Sequence, residues 1–200
     1  MALLPEEIPV AFTTFMALGS YRMVKSGILV KQPKTVESLG SATVICLDKT
    51  GTITENRMSV AEIVSFSEDS EERVLDYAWW ASEPEPFDAM EQAIEERIKE
   101  RGRDPRKGYH LVHEYPLGGR PPMMTHIWSD KKHQVVACKG AVERVLTVCG
   151  ASEELRERVL GLTEEMAAKG YRVLGVASAV HDTSFPTEQD DFDWKFEGVT

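Results

Sequence analysis

The run Thr43-Val44-Ile45-Cys46-Leu47, leading straight into Asp48, limits what this chain can fold into more than any other stretch. It has no polar face, so it fits a strand covered on both sides, as in a parallel α/β sheet. Ligands of open α/β sheets sit beyond the carboxyl ends of the strands, and Asp48 falls there. Gly51 permits a tight turn that leaves backbone N–H groups free to meet an anion. A carboxylate so placed, beside Lys49 and the hydroxyls of Thr50 and Thr52, suits attack on a phosphoryl group, with magnesium bridging carboxylate and phosphate. An ordinary aspartate at a strand-to-loop junction is the plain alternative, and Asp48 alone does not decide between them.

"RMSVAEIVSF" alternates loosely and reads as a strand leading away. "SEDSEERVLDYAWWAS" and "FDAMEQAIEERIKERG" carry apolar residues at helical spacing, the second with Met90, Ala93, Ile94 and Ile98 on one face and Gly102 as its stop. "YHLVHEYPLG", "MMTHIWSDKKHQVVACKG" and "YRVLGVASAV" read as strands, with "SDKK" a hairpin turn. Between them, "AVERVLTVCG" and "SEELRERVLGLTEEMAAKG" separate the strands, the latter capped by Ser152 and stopped by Gly170. Helices on an antiparallel sheet are expected, an α+β module over about residues 59–193 inserted after the first strand of another domain. "WKFEGVT", in residues 194–200, reads as a strand returning to that other domain, which this chain is expected to leave incomplete.

Apolar content of 42% and charged content of 28% place the chain among globular proteins. A net charge of −10 argues against nucleic-acid binding, which needs a basic face to displace counterions. Three cysteines without a CxxC or zinc-like histidine spacing read as reduced thiols with no metal role. Residues 1–31 are harder to place. An apolar stretch bears Glu6 and Glu7 between Pro5 and Pro9, with Arg22, Lys25 and Lys31 after it. Two readings fit: an amphipathic helix beginning after Pro9, or the end of a membrane helix broken at the prolines, with residues from about 21 onward on the cytoplasmic side.

Taken whole, "DKTGTIT" resembles the phosphorylation motif of the P-type ATPases, cation pumps of the wider haloacid-dehalogenase-like group. The resemblance runs on through "PEEIP", similar to their broken ion-binding helix, and through "KTVESLGSATVICLDKTGTIT", similar to stalk and first strand. It continues in "CKGAVERVL" and "GYRVLGVA", similar to elements of the nucleotide-binding domain. It implies an α+β nucleotide-binding domain inserted into an incomplete haloacid-dehalogenase-like α/β phosphorylation domain, the latter beginning at 32–58. Asp48 would be the phosphorylated nucleophile, with Lys49 beside it and the Thr50 carbonyl helping to hold magnesium. Glu91 would lie near the adenine of ATP, Lys139 and Gly140 would line its pocket, and Arg172 would reach the phosphates. Glu6 would bind the transported cation, with Glu7 less well matched, and the full-length protein would lie in a membrane.

The departures are as specific. The family's phenylalanine and lysine in this region are matched here by Leu117 and Pro122. Leucine packs on a purine without a π-system, and proline supplies no cation. ATP binding is therefore expected to be weak, unless Tyr115 and Arg120 take over those roles. Two residues after the nucleophile, where related phosphatases carry a second aspartate, stands Thr50. A threonine cannot deprotonate water at neutral pH, so an aspartyl phosphate is expected to persist, which disfavours a simple phosphatase. A nucleotide-binding module without turnover is the remaining alternative to a pump.

Overall fold

The computed structural model describes residues 7–32, 34–67, 70–130, 132–181 and 185–200, without the side chains at 34 and 50. Met1–Glu55 and Asn56–Thr200 are separate compact units.

In the first unit, helix α1 (Glu7–Lys25) and helix α2 (Lys34–Gly40) approach closely at Gly19, where an added Cβ would lie 2.9 Å from Val36 Cγ1. The helix starts earlier than expected: Pro9 stands third in α1, a position whose N–H has no intrahelical acceptor to lose. Met16 is its buried apolar residue, while Phe12, Phe15 and Tyr21 are exposed. Among the described residues no helix is long and apolar enough to cross a membrane. Residues 43–47 do not form the expected strand, and Val44 and Ile45 are 76% and 78% exposed. A strand exists only as part of a ladder, and no described segment pairs with this one.

In the second unit six strands form one antiparallel sheet, in the order β1-β6-β5-β4-β3-β2. They are β1 (Val64–Ser65), β2 (His110–Gly118), β3 (Met123–Ser129), β4 (Gln134–Gly140), β5 (Gly175–Ala179) and β6 (Trp194–Val199). The expected strand over 57–66 shrinks to the two residues of β1. Residues 194–199, read in the sequence as leaving for another domain, pair with both β1 and β5.

Alternation divides the sheet. Val136 and Cys138 face a core with Val145 and Leu146 of α5 (Val142–Val148) and Val159 and Met166 of α6 (Glu153–Ala168). Ala137 and Val176 face the other way, toward α3 (Glu71–Trp80) and α4 (Ala89–Glu100). The cap and stop expected of α6 are present, whereas Ser70, at the start of α3, makes no side-chain cap bond. Ser152 accepts from Leu155 N at 3.3 Å, and Gly170 ends α6 at φ +88°. Asp88 accepts from Met90 N at 2.8 Å to start α4. Asp130 turns the β3–β4 hairpin by accepting from the amides of Lys132 and His133. Glu197, fully buried on β6, takes a two-point bond from Arg73 of α3 at 3.1 and 3.2 Å and one from Ser178 at 2.5 Å. That ties α3 to the sheet it covers.

Candidate functional site

Strand register gathers the second unit's expected site residues at one end of the sheet. Gly118, Met123, Gly140 and Gly175 are successive partners across β2, β3, β4 and β5. Leu117 precedes the first of these, Lys139 precedes Gly140, and Arg172 lies three residues before β5. The end of α3 and the start of α4 cover this corner.

Lys139 and Glu91 meet there. The Lys139 ammonium donates to Glu91 Oε1 at 2.5 Å, Ser82 Oγ at 2.6 Å and the Ala81 carbonyl at 3.1 Å. Three donors have three acceptors. The two residues are 4% and 5% exposed, so the pair is withdrawn from water. Burial pushes Lys139 down to about 8, against the pull of Glu91. Glu91 Oε1 also accepts from Glu83 N at 3.3 Å, whereas its Oε2 is buried with no hydrogen-bond partner among the described residues. A buried carboxylate oxygen left without a donor is a costly vacancy.

A buried cation holds the cover in place. The Arg106 guanidinium donates to the carbonyls of Trp79, Ser82 (2.5 Å) and Glu83 (3.1 Å), at and just after the end of α3. It lies 3.7 Å over the Trp79 ring and 4.4 Å over that of Trp128. Burial pushes it down to about 9, so it stays charged at neutral pH. His126 Nδ1 is 3.0 Å from the Ala81 carbonyl, and Trp128 Nε1 donates to the Trp80 carbonyl at 2.7 Å. Burial lowers the His126 pKa. Neither Arg106 nor His126 was singled out in the sequence. Strand alternation does place His126 on the Lys139 face, whereas nothing local marks Arg106.

The other expected residues do not join this buried contact. Leu117 is 64% exposed. Tyr115 belongs to the opposite face: it pairs with Thr125, packs against the α5–α6 core, and its hydroxyl donates to the Pro186 carbonyl at 2.5 Å. It is therefore not the replacement aromatic expected for the Lys139 side. Arg120 is exposed, and the Pro122 carbonyl accepts from Ala141 N at 2.9 Å. Arg172 lines a cleft of about 190 Å³ together with Met90, Ile94, Met166 and Leu174. Asp48, in the first unit, precedes a single π-helical turn, Lys49–Ile53, with Gly51 at φ +73°; Asp48 and Lys49 are exposed. Glu6 lies outside the described residues, and Glu7 is in the first turn of α1.

Gly140 has a packing reason of its own. A Cβ there would lie 2.5 Å from the Pro122 carbonyl oxygen and 2.7 Å from Met123 Cα, both backbone atoms that cannot swing aside. Gly140→Ala is expected to cost about 3 kcal/mol, the upper end for overpacking. Urea unfolding checks this, and a loss under 1 kcal/mol would show that β3 yields freely.

A family model described as "P-type ATPase, cytoplasmic domain N" matches residues 86–198. A Methanocaldococcus jannaschii protein named as a cation-transporting ATPase is 32% identical over 179 residues, covering 87% of this chain and 22% of that protein. A Dictyostelium discoideum protein named as a plasma membrane ATPase is 27% identical over 198 residues, covering 98% of this chain and 18% of its own length. The chain thus spans about a fifth of the length of these relatives.

Proposed function

Because this chain belongs to the P-type ATPase family, matching its cytoplasmic domain N, we propose that Asn56–Thr200 binds ATP and that Asp48 receives its terminal phosphoryl group. The observation that carries the first half is the Glu91–Lys139 corner, with a buried carboxylate oxygen that lacks a donor. The exocyclic amino group of adenine is a donor of the right kind for Glu91 Oε2. Leu117 supplies an apolar surface at the same sheet end, and Arg172 a cation for the phosphates. The Lys139 ammonium is already occupied by protein acceptors, so nucleotide must compete with them and affinity is low.

In the phosphoryl step an Asp48 oxygen bonds to the γ-phosphorus, the bond to the bridging oxygen breaks, and ADP leaves. Lys49 sits beside Asp48 to offset phosphoryl charge. The Asp48 carboxylate and the Thr50 carbonyl are hard oxygen donors of the kind magnesium takes, and the ion would neutralise charge on the transferring group. In this proposal Asp48 belongs to a haloacid-dehalogenase-like α/β domain into which the second unit is inserted. The transported cation, its ligand Glu6, the membrane and net ATP hydrolysis belong to the full-length protein. One observation favours binding without turnover for the 200-residue chain: residues 43–47, ahead of Asp48, lack the sheet that would fix the nucleophile.

Two exposed positions test the ATP site without disturbing the fold. Leu117→Phe is expected to tighten ATP binding about three- to tenfold through ring stacking. Arg172→Ala is expected to weaken it about tenfold, the scale of one charge-assisted contact. Calorimetric titration of both variants against the parent chain measures this. Unchanged affinity in both would remove the nucleotide from this corner.

A further inference from the structure

Beside the Lys139 corner, three side chains that the ATP reading does not use converge. His126 of β3, 1% exposed as a side chain, points its Nε2 between Glu83 Oε2 at 3.7 Å and Glu114 Oε2 at 3.9 Å. The three ligand atoms lie within 4.8 Å of one another. We propose that Glu83, Glu114 and His126 form a binding site for a divalent transition metal of the zinc class.

The argument begins with the ring. Its Nδ1 faces the Ala81 carbonyl at 3.0 Å. A carbonyl can only accept, so Nδ1 carries a hydrogen; in the neutral ring the lone pair is then at Nε2. A backbone carbonyl fixing one nitrogen while the other faces ligands is the usual support of a metal-bound histidine. Among the described residues Nε2 makes no hydrogen bond: both carboxylates stand beyond hydrogen-bond distance, and each is itself an acceptor. A buried lone pair aimed at two anions lacks a cation. Among the described residues neither carboxylate is salt-bridged to a lysine or arginine; Lys139 is committed to Glu91.

The distances suit a small ion. Tetrahedral coordination at about 2.0–2.2 Å separates ligand atoms by roughly 3.4 Å. Each carboxylate needs to close on Nε2 by about half an ångström or less, and both have the freedom to move toward it and each other, with side chains 31% and 53% exposed. Glu114 is held by register, since it is directly opposite His126 in the β2–β3 ladder. Glu83 comes from the segment after α3. Two carboxylates neutralise a divalent charge, and the imidazole selects zinc-like ions over magnesium or calcium, which take all-oxygen sets. The bound ion would tie the segment that carries Ala81 and Ser82 to the edge of the sheet.

Metal-stripped full chain titrated with zinc, and with cobalt(II) as its coloured counterpart, tests this. One ion per chain is expected, with cobalt bands of low-coordinate intensity, a melting temperature that rises with metal, and no displacement by equal magnesium. Glu114→Gln, at an exposed position, and Glu83→Gln, at a half-buried one whose carboxylate makes no hydrogen bond or Lys/Arg salt bridge among the described residues, are expected to weaken binding at least tenfold each while leaving metal-free melting within a few degrees. His126→Gln should abolish the cobalt bands, but its burial makes the glutamate variants the deciding ones. Cobalt spectra that stay those of the aqua ion, equal zinc uptake by parent and glutamate variants, or displacement by magnesium would each overturn the site. ATP affinity measured with Leu117→Phe is independent of these outcomes, so the two proposals fail separately.

Discussion

Lys139→Met is expected to destabilise the second unit by about 3–5 kcal/mol, the cost of leaving one member of a buried ion pair uncompensated. The methionine fills much of the same volume, so the loss is electrostatic rather than a cavity. Glu91, 5% exposed, would keep only the Glu83 amide as a donor, at 3.3 Å. Ser82 Oγ and the Ala81 carbonyl would each lose a donor as well. The partner substitution separates these effects. Combining Lys139→Met with Glu91→Gln removes the stranded charge yet keeps an acceptor for the Glu83 amide, and should recover more than half of the loss. Urea unfolding of the four proteins gives the coupling energy. Simple additivity of the two substitutions would mean that the pair is solvated and its burial illusory. Because Lys139 is this deeply structural, ligand affinity is better tested at Leu117 and Arg172.

The same pair gives a pH signature. The folded-state pKa of Lys139, about 8, lies below the ordinary 10.5. Between those values the unfolded chain holds a proton that the folded chain has released. Stability attributable to this lysine therefore rises with pH across that window. Stability measured at pH 8 and pH 10 should rise in the parent relative to Lys139→Met. A parallel course in both proteins would show that the lysine titrates normally.

How much of this was legible in the sequence depends on the range of the interaction. Helices α4 and α6 were readable because caps and apolar spacing are local: Asp88 and Ser152 bond amides two and three residues ahead. The hairpin at Asp130 is equally local. The strand over 43–47 was misread because a continuous apolar run reports burial only if neighbours supply a ladder. The resemblance put Glu91 and Lys139 at the same adenine, but nothing local in the sequence shows their contact, which spans 48 residues. His126 was readable in principle, since alternation along β3 and β4 puts it on the face of Lys139. Arg106 was not. It stands in "RGRDPRKG", which reads as a charged surface loop, and the rings that bury it come from α3 and β3.

Arg106→Ala is consequently expected to have the second large effect, a loss of about 4 kcal/mol or more. The Ser82 and Glu83 carbonyls would lose their donor, and each buried acceptor left unmade costs about 1–3 kcal/mol, whereas the Trp79 carbonyl keeps the Ser82 amide. The stacking on Trp79 and Trp128 goes with them. Arg106→Lys should recover little, because an ammonium lacks the planar fork that spans separated carbonyls while lying flat between two rings. Urea unfolding measures the loss, and tryptophan emission should shift red as both indoles gain water. The consequence extends to ligands. Arg106 fixes the carbonyls on either side of Ala81, and the Ala81 carbonyl is the acceptor shared by Lys139 and His126. A chain that still folds with Arg106→Lys should therefore bind both ATP and zinc more weakly, although Arg106 is proposed to touch neither. Unaltered affinity for both in that variant would show that Lys139 and His126 hold Ala81 in place without help from the cation beneath it.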